Sequence, residues 1–378
     1  MDIYQESLEL HKQHQGKLAV ATKVPLKDKT DLARAYTPGV AEVCRLIAKN
    51  PEAAKTHTLK GNTVAVVSDG SAILGLGNLG AKAAIPVMEG KAALFKEFAN
   101  VDAFPVCLDT QDTEEIIKIV KAIAPSFGGI NLEDISAPRC FEIEDRLKKE
   151  LDIPVFHDDQ HGTAVVILTG LINGLKLKNL KPQEVRVVIS GAGAAGLAVA
   201  DLLLKYGFSN LIVNDSKGAL CQDREDLNSA KAAMAKRSNK ENLKGTLREC
   251  LVGADVFIGV SAPNLIDREV VATMAKEPLI FALSNPVPEI MPDEAKAGGA
   301  LAVATGRSDF PNQINNVLVF PGIFRGALDN NISEITDAML IKAAENLAAL
   351  VKEPTADYLL PDPFDKAVAP AIAAALKE

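Results

Sequence analysis

The stretch that decides the fold reads Val185-Arg186-Val187-Val188-Ile189-Ser190-Gly191-Ala192-Gly193-Ala194-Ala195-Gly196. Its first half has the length and the apolar character of a buried parallel strand. Its second half matches the GxGxxG pattern and leads into a predicted helix over residues 197–206. The first glycine allows a tight turn, the second lets the backbone approach a pyrophosphate, and the third lets helix and strand pack closely. We therefore predict dinucleotide binding at Gly191, Ala192, Gly193, Ala194, Ala195 and Gly196, the alternative being a turn needed only for packing.

The next predicted strand, over residues 211–214, is followed by an acid. This acid is Asp215, 24 residues after Gly191, which is near the spacing of a carboxylate that binds the adenosine ribose. Such a carboxylate would repel a 2′-phosphate and therefore favours NAD. Lys217 follows two residues later and could instead attract that phosphate. We expect NAD as the cofactor, with NADP as the alternative.

Strand-like and helix-like segments alternate along most of the chain. Strands are predicted at 63–68, 101–106, 130–132 and 153–156, and a second series begins at residue 185. This alternation is typical of parallel sheets, and 378 residues are enough for two domains. We predict an α/β fold with a helical N-terminal segment and two parallel-sheet domains, the second of Rossmann type. The domains are predicted at 1–157 for substrate and metal, with 316–378 returning to it, and at 158–315 for the dinucleotide.

Composition excludes several kinds of partner. The net charge is -8, with 41 Lys and Arg against 49 Asp and Glu, and no basic block suited to nucleic acid stands out. No run approaches the roughly 20 apolar residues of a membrane-spanning helix. The first residues lack the pattern of a secretory signal, so we expect a cytoplasmic protein. The five Cys are scattered and form no CxxC pair, which argues against a disulfide framework or a cysteine zinc site.

A second glycine loop, Gly75-Leu76-Gly77-Asn78-Leu79-Gly80, also matches GxGxxG. The acid that follows the next predicted strand, Asp109, is 34 residues beyond Gly75, which is too far for a ribose carboxylate. We also expect the helix after this loop to be interrupted by Pro86. A packing turn is therefore favoured here over a cofactor site, and a role in lining the active cleft is the functional alternative.

Two pairs of carboxylates follow predicted strands. Glu133-Asp134 ends one strand, and Asp158-Asp159 comes directly after another. Ligand sites in parallel sheets lie at the carboxyl ends of the strands, and carboxylates without a cysteine favour Mg²⁺ or Mn²⁺. Solvated loop acids are the alternative. His157 and His161 stand four residues apart and could mimic a zinc pair, but we expect them to have supporting roles.

Several longer motifs in this order resemble the malic enzyme family in its short bacterial form. They are Tyr36-Thr37-Pro38-Gly39-Val40-Ala41, Ser68-Asp69-Gly70 with the Gly75 loop, Glu133-Asp134-Ile135, residues 157–163, the Gly191 loop, Ala282-Leu283-Ser284-Asn285-Pro286, Asn315-Asn316-Val317 and Phe320-Pro321-Gly322. The resemblance implies oxidative decarboxylation of L-malate to pyruvate and CO₂, with reduction of NAD(P) and a divalent metal. It also implies a homodimer.

The same resemblance implies roles for individual residues. It makes Tyr36 the general acid and Lys91 the general base, with burial and a nearby cation lowering the pKa of Lys91. It makes Glu133, Asp134 and Asp159 the metal ligands. It places Asn285 and either Asn315 or Asn316 on the substrate, and Asn285 beside the cofactor. From the residues alone, Tyr36 would be a structural turn residue and Lys91 a solvated lysine.

The chain departs from the larger relatives at one point. Those relatives carry an arginine for a substrate carboxylate where this chain has Ser71-Ala72. Another cation must replace the arginine, or amides and the metal hold that carboxylate. Three alternative functions remain: a malolactic-type lyase that keeps its cofactor, an inactive dinucleotide-sensing protein, and a metal-free amino acid dehydrogenase.

Overall fold

The first sheet has four parallel strands. The computed structural model describes residues 2–73 and 76–377, so Gly75 of the second glycine loop lies outside the described residues. The strands are β1 (Thr63–Ser68), β2 (Asp102–Cys107), β3 (Gly129–Leu132) and β4 (Val155–His157). Their order is β2-β1-β3-β4, so β1 lies between two strands that follow it in the chain. The carboxyl ends of β1, β3 and β4 therefore meet at one edge.

The N-terminal segment is helical, as predicted. It contains α1 (Ile3–His14), α2 (Lys29–Ala35), α3 (Val40–Lys49) and α4 (Ala54–His57). Within this described stretch, no side chain before Ala53 is buried. Two of these helices have side-chain caps: Asp2 and Asp28 accept hydrogen bonds from the first turns of α1 and α2.

Three longer helices cover the first sheet: α5 (Ala81–Ala99), α6 (Thr113–Ile123) and α7 (Arg139–Glu150). The prediction that Pro86 interrupts the first of these is wrong, because α5 runs through it. Pro86 stands in the second turn, where its missing N–H removes only one hydrogen bond of the helix. Buried side chains of α5, among them Met88 and Phe95, hold the helix against the core.

The longest helix, α8 (Asp158–Lys178), links the two sheets. The sequence predicted its start at residue 162, but it begins directly after β4, so Asp158 and Asp159 lie in its first turn. Carboxylates are favoured there because they face the positive end of the helix dipole. In the described part of the chain, neither this helix nor any other is long and apolar enough to cross a membrane.

The second sheet has the predicted Rossmann type. Five strands are parallel in the order β10-β9-β8-β5-β6, and β7 pairs antiparallel with β6 at the edge. The strands are β5 (Arg186–Ser190), β6 (Asn210–Asp215), β7 (Gly218–Ala219), β8 (Val256–Gly259), β9 (Leu279–Ala282) and β10 (Ala302–Thr305). The helices are α9 (Ala194–Tyr206), α10 (Ser229–Arg237), α11 (Leu247–Leu251), α12 (Arg268–Thr273) and α13 (Pro292–Ala297).

The C-terminal segment contains α14 (Phe320–Asp329), α15 (Asp337–Ala348) and α16 (Val368–Ala373). Helix α14 contacts the first sheet's layer: the ring of Phe95 on α5 lies 4.7 Å from that of Phe320 and 5.4 Å from that of Phe324, between centroids. Arg325 also donates to Asn62 at 2.7 Å. These contacts pack α14 against the first domain. The exact domain bounds remain a prediction.

Candidate active site

Three carboxylates converge where β3 and β4 end. One oxygen from each of Glu133, Asp134 and Asp159 lies within 4.8 Å of the other two. Asp134 has a φ of 54°, in the left-handed region, and this change of direction lets two consecutive residues face the same side. The backbone N–H of Asp134 also donates to Asp159 Oδ2 at 2.8 Å, which joins the end of β3 to the start of α8.

The chemistry of this cluster fits a divalent cation. Glu133 and Asp134 are only 4% and 5% exposed, so water screens their charges poorly. Burial raises the pKa of Glu133, which means that its negative charge lacks full compensation from protein groups. Hard oxygen ligands at this density are what Mg²⁺ and Mn²⁺ prefer. Glu133, Asp134 and Asp159 are therefore the residues that would hold such an ion.

Lys91, on α5, lies beside this cluster. Its Nζ is 2.6 Å from Asp158 Oδ2, 2.8 Å from Glu133 Oε1 and 4.3 Å from the ring centroid of Phe320. Burial lowers the pKa of Lys91, but the charges of Asp158 and Glu133 outweigh burial and raise this pKa above its ordinary value. Our prediction of a lowered pKa is thus wrong for the protein groups alone, because it counted the cation and omitted the two carboxylates.

The sequence motif contains Asp158, but only its neighbour Asp159 is predicted to have a role. Asp158 is fully buried, and its Oδ1 has no hydrogen-bond partner among the described residues. Successive residues of a helix point about 100° apart, so Asp158 and Asp159 in the first turn of α8 meet different partners. Asp158 meets Lys91, while Asp159 meets the other acids. The doublet was a usable signal, but the helix start that separates its two roles was placed four residues too late.

Glu144 of α7, also missed, holds the start of α8. Its carboxylate accepts from the His157 backbone N–H at 3.2 Å, from Gln160 Nε2 at 3.2 Å and from His161 Nε2 at 2.8 Å. Burial raises the pKa of Glu144, but His161 and its other partners outweigh burial and hold this pKa well below its usual range. The ring of His161 is bound to Glu144 and so supports the start of α8.

A cavity of about 610 Å³ opens onto the carboxylates. Its lining includes Lys91, Glu133, Asp134, Asp159 and Asn316, together with Ser7, His11 and Lys17 from the N-terminal segment. Asn315 is not among the described residues that line the cavity, and its side chain accepts from the Val317 N–H at 3.0 Å. Of the two candidate asparagines, the one that faces the cavity is Asn316.

The structure leaves two other candidate residues outside the lining of this cavity. Asn285 is exposed after β9 and lies over Gly306, where a Cβ would come within 2.6 Å of Asn285 Nδ2. Tyr36, at the end of α2, is 64% exposed and is not among the described residues that line the cavity. A single chain therefore does not bring the proposed acid and the proposed base together.

The loop after β5 has the geometry of a pyrophosphate site. A Cβ on Gly196 would lie 1.8 Å from the Gly191 carbonyl oxygen, and one on Gly191 would lie 2.7 Å from that of Val260. Around Gly193, by contrast, no described atom lies within 4 Å of an added Cβ, so its backbone is open to a ligand. Gly193 is also the N-cap of α9 and adds no side-chain hydrogen bond, which leaves the first N–H groups available for phosphate.

Asp215 ends β6, as the motif spacing requires, but its carboxylate is already bound. It accepts from Arg224 at 2.8 and 3.1 Å and from Lys231 at 2.8 Å. Burial raises the pKa of Asp215, but the hydrogen bonds from Arg224 and Lys231 outweigh burial and lower this pKa to about 2. Neither cation was predicted, because they come from a loop and a helix with no recognisable motif.

The turn after β1 braces the carboxylate cluster. The N–H groups of Leu79 and Gly80 donate to the Gly70 carbonyl at 3.2 and 3.1 Å, and the Ala72 N–H donates to the Asp134 carbonyl at 3.0 Å. Arg139 donates to Asp69 at 2.9 Å from the same side. In its described residues, the second glycine loop thus has contacts that support packing next to the cavity.

Comparisons with known proteins agree along the whole chain. Residues 15–148 match the malic enzyme N-terminal domain, and residues 160–377 match the malic enzyme NAD binding domain. The bifunctional malic/malolactic enzyme of Bacillus subtilis is 54% identical over 100% of this chain and 92% of its own. The NAD-dependent malic enzyme of Geobacillus stearothermophilus is 57% identical over 96% of this chain and 76% of its own.

A solved structure agrees with the same assignment. The NAD-dependent malic enzyme of Thermotoga maritima has a TM-score of 0.96 and 50% identity, covering 98% of each chain. Relatives named NADP-dependent malic enzyme match as well. The acid cluster with its buried lysine, the glycine loop after β5, the two matching domains and the shared fold all agree. The chain belongs to the malic enzyme family.

Proposed function

We propose that the chain oxidises and decarboxylates L-malate to pyruvate and CO₂ while reducing NAD. The observation that carries this proposal is one cavity lined by Lys91, Glu133, Asp134 and Asp159. When bound at these acids, Mg²⁺ or Mn²⁺ would supply Lewis acidity toward the substrate's C2 oxygen. The roles of the individual residues, the cytoplasmic location and the domain bounds are part of this proposal.

Lys91 and Asp158 form the proposed proton path at C2. The raised pKa of Lys91 keeps its amine charged, so Lys91 would first pass its own proton to Asp158. The neutral amine would then take the hydroxyl proton of malate as hydride leaves C2 for the nicotinamide. Asp158 Oδ2 lies 2.6 Å from Lys91 Nζ, and burial raises the pKa of Asp158 well above its ordinary value, so Asp158 can share that proton. Glu133 contacts both Lys91 and the other acids. It therefore couples the charge on Lys91 to the charge held by the acid cluster.

Lys17 is the cation that we propose in place of the missing arginine. It lines the cavity, as does Ala72, where larger relatives carry that arginine. Among the described residues, its Nζ donates to the Pro86 carbonyl at 2.7 Å, and the nearby acid Glu89 accepts from its backbone N–H at 3.2 Å. A malate carboxylate would gain an attractive charge from Lys17. Asn316, also in the lining, would add an amide hydrogen bond.

NAD is the proposed hydride acceptor, with NADP accepted less well. Asp215 stands at the position of a ribose carboxylate and favours the free 2′-hydroxyl. Arg224 and Lys231 contact this carboxylate at 2.8 Å each, and the Lys217 N–H donates to it at 3.0 Å. These cations reduce the repulsion that Asp215 would exert on a 2′-phosphate.

The test is absorbance of the reduced nicotinamide, with malate, Mn²⁺, and either NAD or NADP. We expect faster reduction with NAD, loss of the signal with EDTA, and recovery when Mn²⁺ is added back. Pyruvate and lactate are measured in the same samples, because the Bacillus subtilis relative bears a bifunctional malic/malolactic name. Lactate without reduced cofactor, or a rate insensitive to EDTA, would contradict the proposal.

A further inference from the structure

Glu289 is a buried acid that the proposed chemistry does not use. It lies between β9 and α13 and is 0% exposed. Burial raises the pKa of Glu289, and backbone N–H groups, first among them that of Ser261, offset this only in part. A buried carboxylate is costly unless its partners compensate it, so the partners of Glu289 indicate what it does.

The carboxylate of Glu289 joins two loops. Its Oε1 accepts from the Ser261 N–H and its Oε2 accepts from the Ser284 N–H, each at 3.0 Å. Ser261 lies in residues 260–267, which we call the β8 loop, and Ser284 lies in residues 283–291, which we call the β9 loop. The Ile266 N–H also donates to the Glu289 carbonyl at 3.3 Å. One residue therefore holds the two loops together.

The end of β8 makes room for this carboxylate. A Cβ on Gly259 would lie 2.4 Å from Glu289 Cδ, which is closer than two such carbon atoms can approach unless one of them moves. Gly259 is the last residue of the strand, so the close approach of Glu289 accounts for the missing side chain. The sequence of β8 is thus fitted to an acid that lies 30 residues later in the chain.

The β8 and β9 loops lie where one half of a dinucleotide is expected. The strand order reverses between β5 and β8, and dinucleotides lie across such a point. Asp215 at the end of β6 marks the adenosine side, so the nicotinamide half would lie over β8 and β9. Ser261 and Asn285 are exposed in these loops, while Glu289 is buried. Ser261 Oγ also lies 3.0 Å from Ser190 Oγ, directly before the Gly191 loop.

We infer that Glu289 is a positioning residue that holds the β8 and β9 loops at the spacing that the nicotinamide half of the cofactor requires. This inference rests on the proposed function, in which that half accepts the hydride of malate. Glu289 is 0% exposed and offers no surface to cofactor or substrate, so it acts through the backbone of Ser261 and Ser284. Because Ser284 directly precedes Asn285, the same contact limits where the candidate substrate asparagine can lie.

Two nucleotides separate this role from general support of the fold. NADH contains both halves of the cofactor, while ADP has the adenosine and two phosphates without the nicotinamide half. Glu289→Gln keeps the size of the side chain, but its amide nitrogen cannot accept a hydrogen bond, so one of the two N–H donors loses its partner. Calorimetry should show a Kd for NADH raised about tenfold and a Kd for ADP within about twofold of the wild-type value.

Glu269→Gln, an exposed acid on α12, is the matched control and should change neither affinity. If Glu289→Gln weakened NADH and ADP equally, or lowered only Tm, Glu289 would support the domain as a whole and the inference would be wrong. The comparison involves no malate. A chain that binds NADH but does not oxidise malate would therefore contradict the proposed function alone.

Gly259→Ala tests the same contact from the other side, and it provides the test if Glu289→Gln does not fold. The added Cβ must displace the Glu289 carboxylate, so this variant should also weaken NADH and spare ADP. The double variant should bind NADH about as well as either single variant, because both changes break one contact. Fully additive losses would mean that Gly259 and Glu289 act separately, which would overturn the inference.

Discussion

The two sheets place different things at their carboxyl ends. In the first sheet, the residues that follow β3 and β4 present charged side chains, and the buried Lys91 Nζ lies 2.6 Å from Asp158 Oδ2. In the second sheet, the loop after β5 presents bare backbone, because Gly193 has open space where a side chain would be. The same parallel topology thus gives one edge suited to proton transfer and one suited to holding a phosphate. Damage to the first edge should slow chemistry, and damage to the second should weaken cofactor binding.

The largest expected effect is at the first edge. Lys91→Ala should lower kcat by about 10²–10⁴, since a positioned base is worth that much, and should leave NAD affinity unchanged. Steady-state rates and a fluorescence titration with NADH measure the two quantities. Lys82→Ala, an exposed lysine on the same helix, is the control. Near-normal turnover in Lys91→Ala would remove the difference between the two edges.

The next effect concerns the support of the first edge. Glu144→Gln should lower the free energy of unfolding by about 3 kcal/mol, because it removes a buried carboxylate that lies 2.7 Å from Lys148 Nζ and 2.8 Å from His161 Nε2. The folded-state pKa of Glu144 is held below its usual value, so its contribution is present above the unfolded value of about 4.3 and is lost as pH falls below it.

Denaturant unfolding at several pH values measures the effect of Glu144. The difference in unfolding free energy between the wild type and Glu144→Gln should shrink as pH falls from about 5 toward the folded-state pKa, which lies well below the usual range. Glu142→Gln, an exposed acid on the same helix, should change little. A difference that stays constant with pH would mean that Glu144 stabilises the fold by packing alone.

The glycines of the second edge should separate binding from folding. Gly193→Ala points a methyl group into open space where the pyrophosphate would lie, so the KM for NAD should rise about tenfold with little change in Tm. Gly196→Ala would place a Cβ 1.8 Å from the Gly191 carbonyl oxygen and should instead reduce folded yield. If both variants lost only stability, the loop would be a packing turn.

The smallest effect is expected for the substrate cation. Lys17→Gln should raise the KM for malate up to about fivefold with kcat nearly unchanged, because a partly exposed charge pair is worth at most ~1 kcal/mol. Lys12→Gln, also in the N-terminal segment but outside the described lining of the cavity, is the control. A larger loss in kcat than in KM would place Lys17 in the chemistry and not in binding.

Much of this arrangement could be predicted from local patterns. Apolar runs such as residues 63–68 and 186–190 identify parallel strands without any knowledge of their neighbours. Acids and glycines directly after such runs, including Glu133 and Gly191, are then expected at the functional edge. These inferences need only a strand end and the side chains that follow it.

Residues that act through distant partners could not be predicted in this way. Glu144 lies in an ordinary charged helix, and its position beside His161 depends on how α7 packs against β4. Arg224 and Lys231 reach Asp215 from nine and sixteen residues away through a loop and a helix. The sequence predicts a lowered pKa for Lys91 because it does not reveal that Asp158 and Glu133 are buried beside this lysine. Their proximity is a property of the folded chain.

Titration with Mn²⁺, followed by the electron spin resonance of the free ion, tests the central claim most directly. We predict one tight Mn²⁺ site per chain in the wild type and in Asp145→Asn, an exposed acid on α7. In Asp159→Asn that site should be weakened at least about tenfold, because one of three converging carboxylates loses its charge. Equal Mn²⁺ affinity in the wild type and Asp159→Asn would contradict the account.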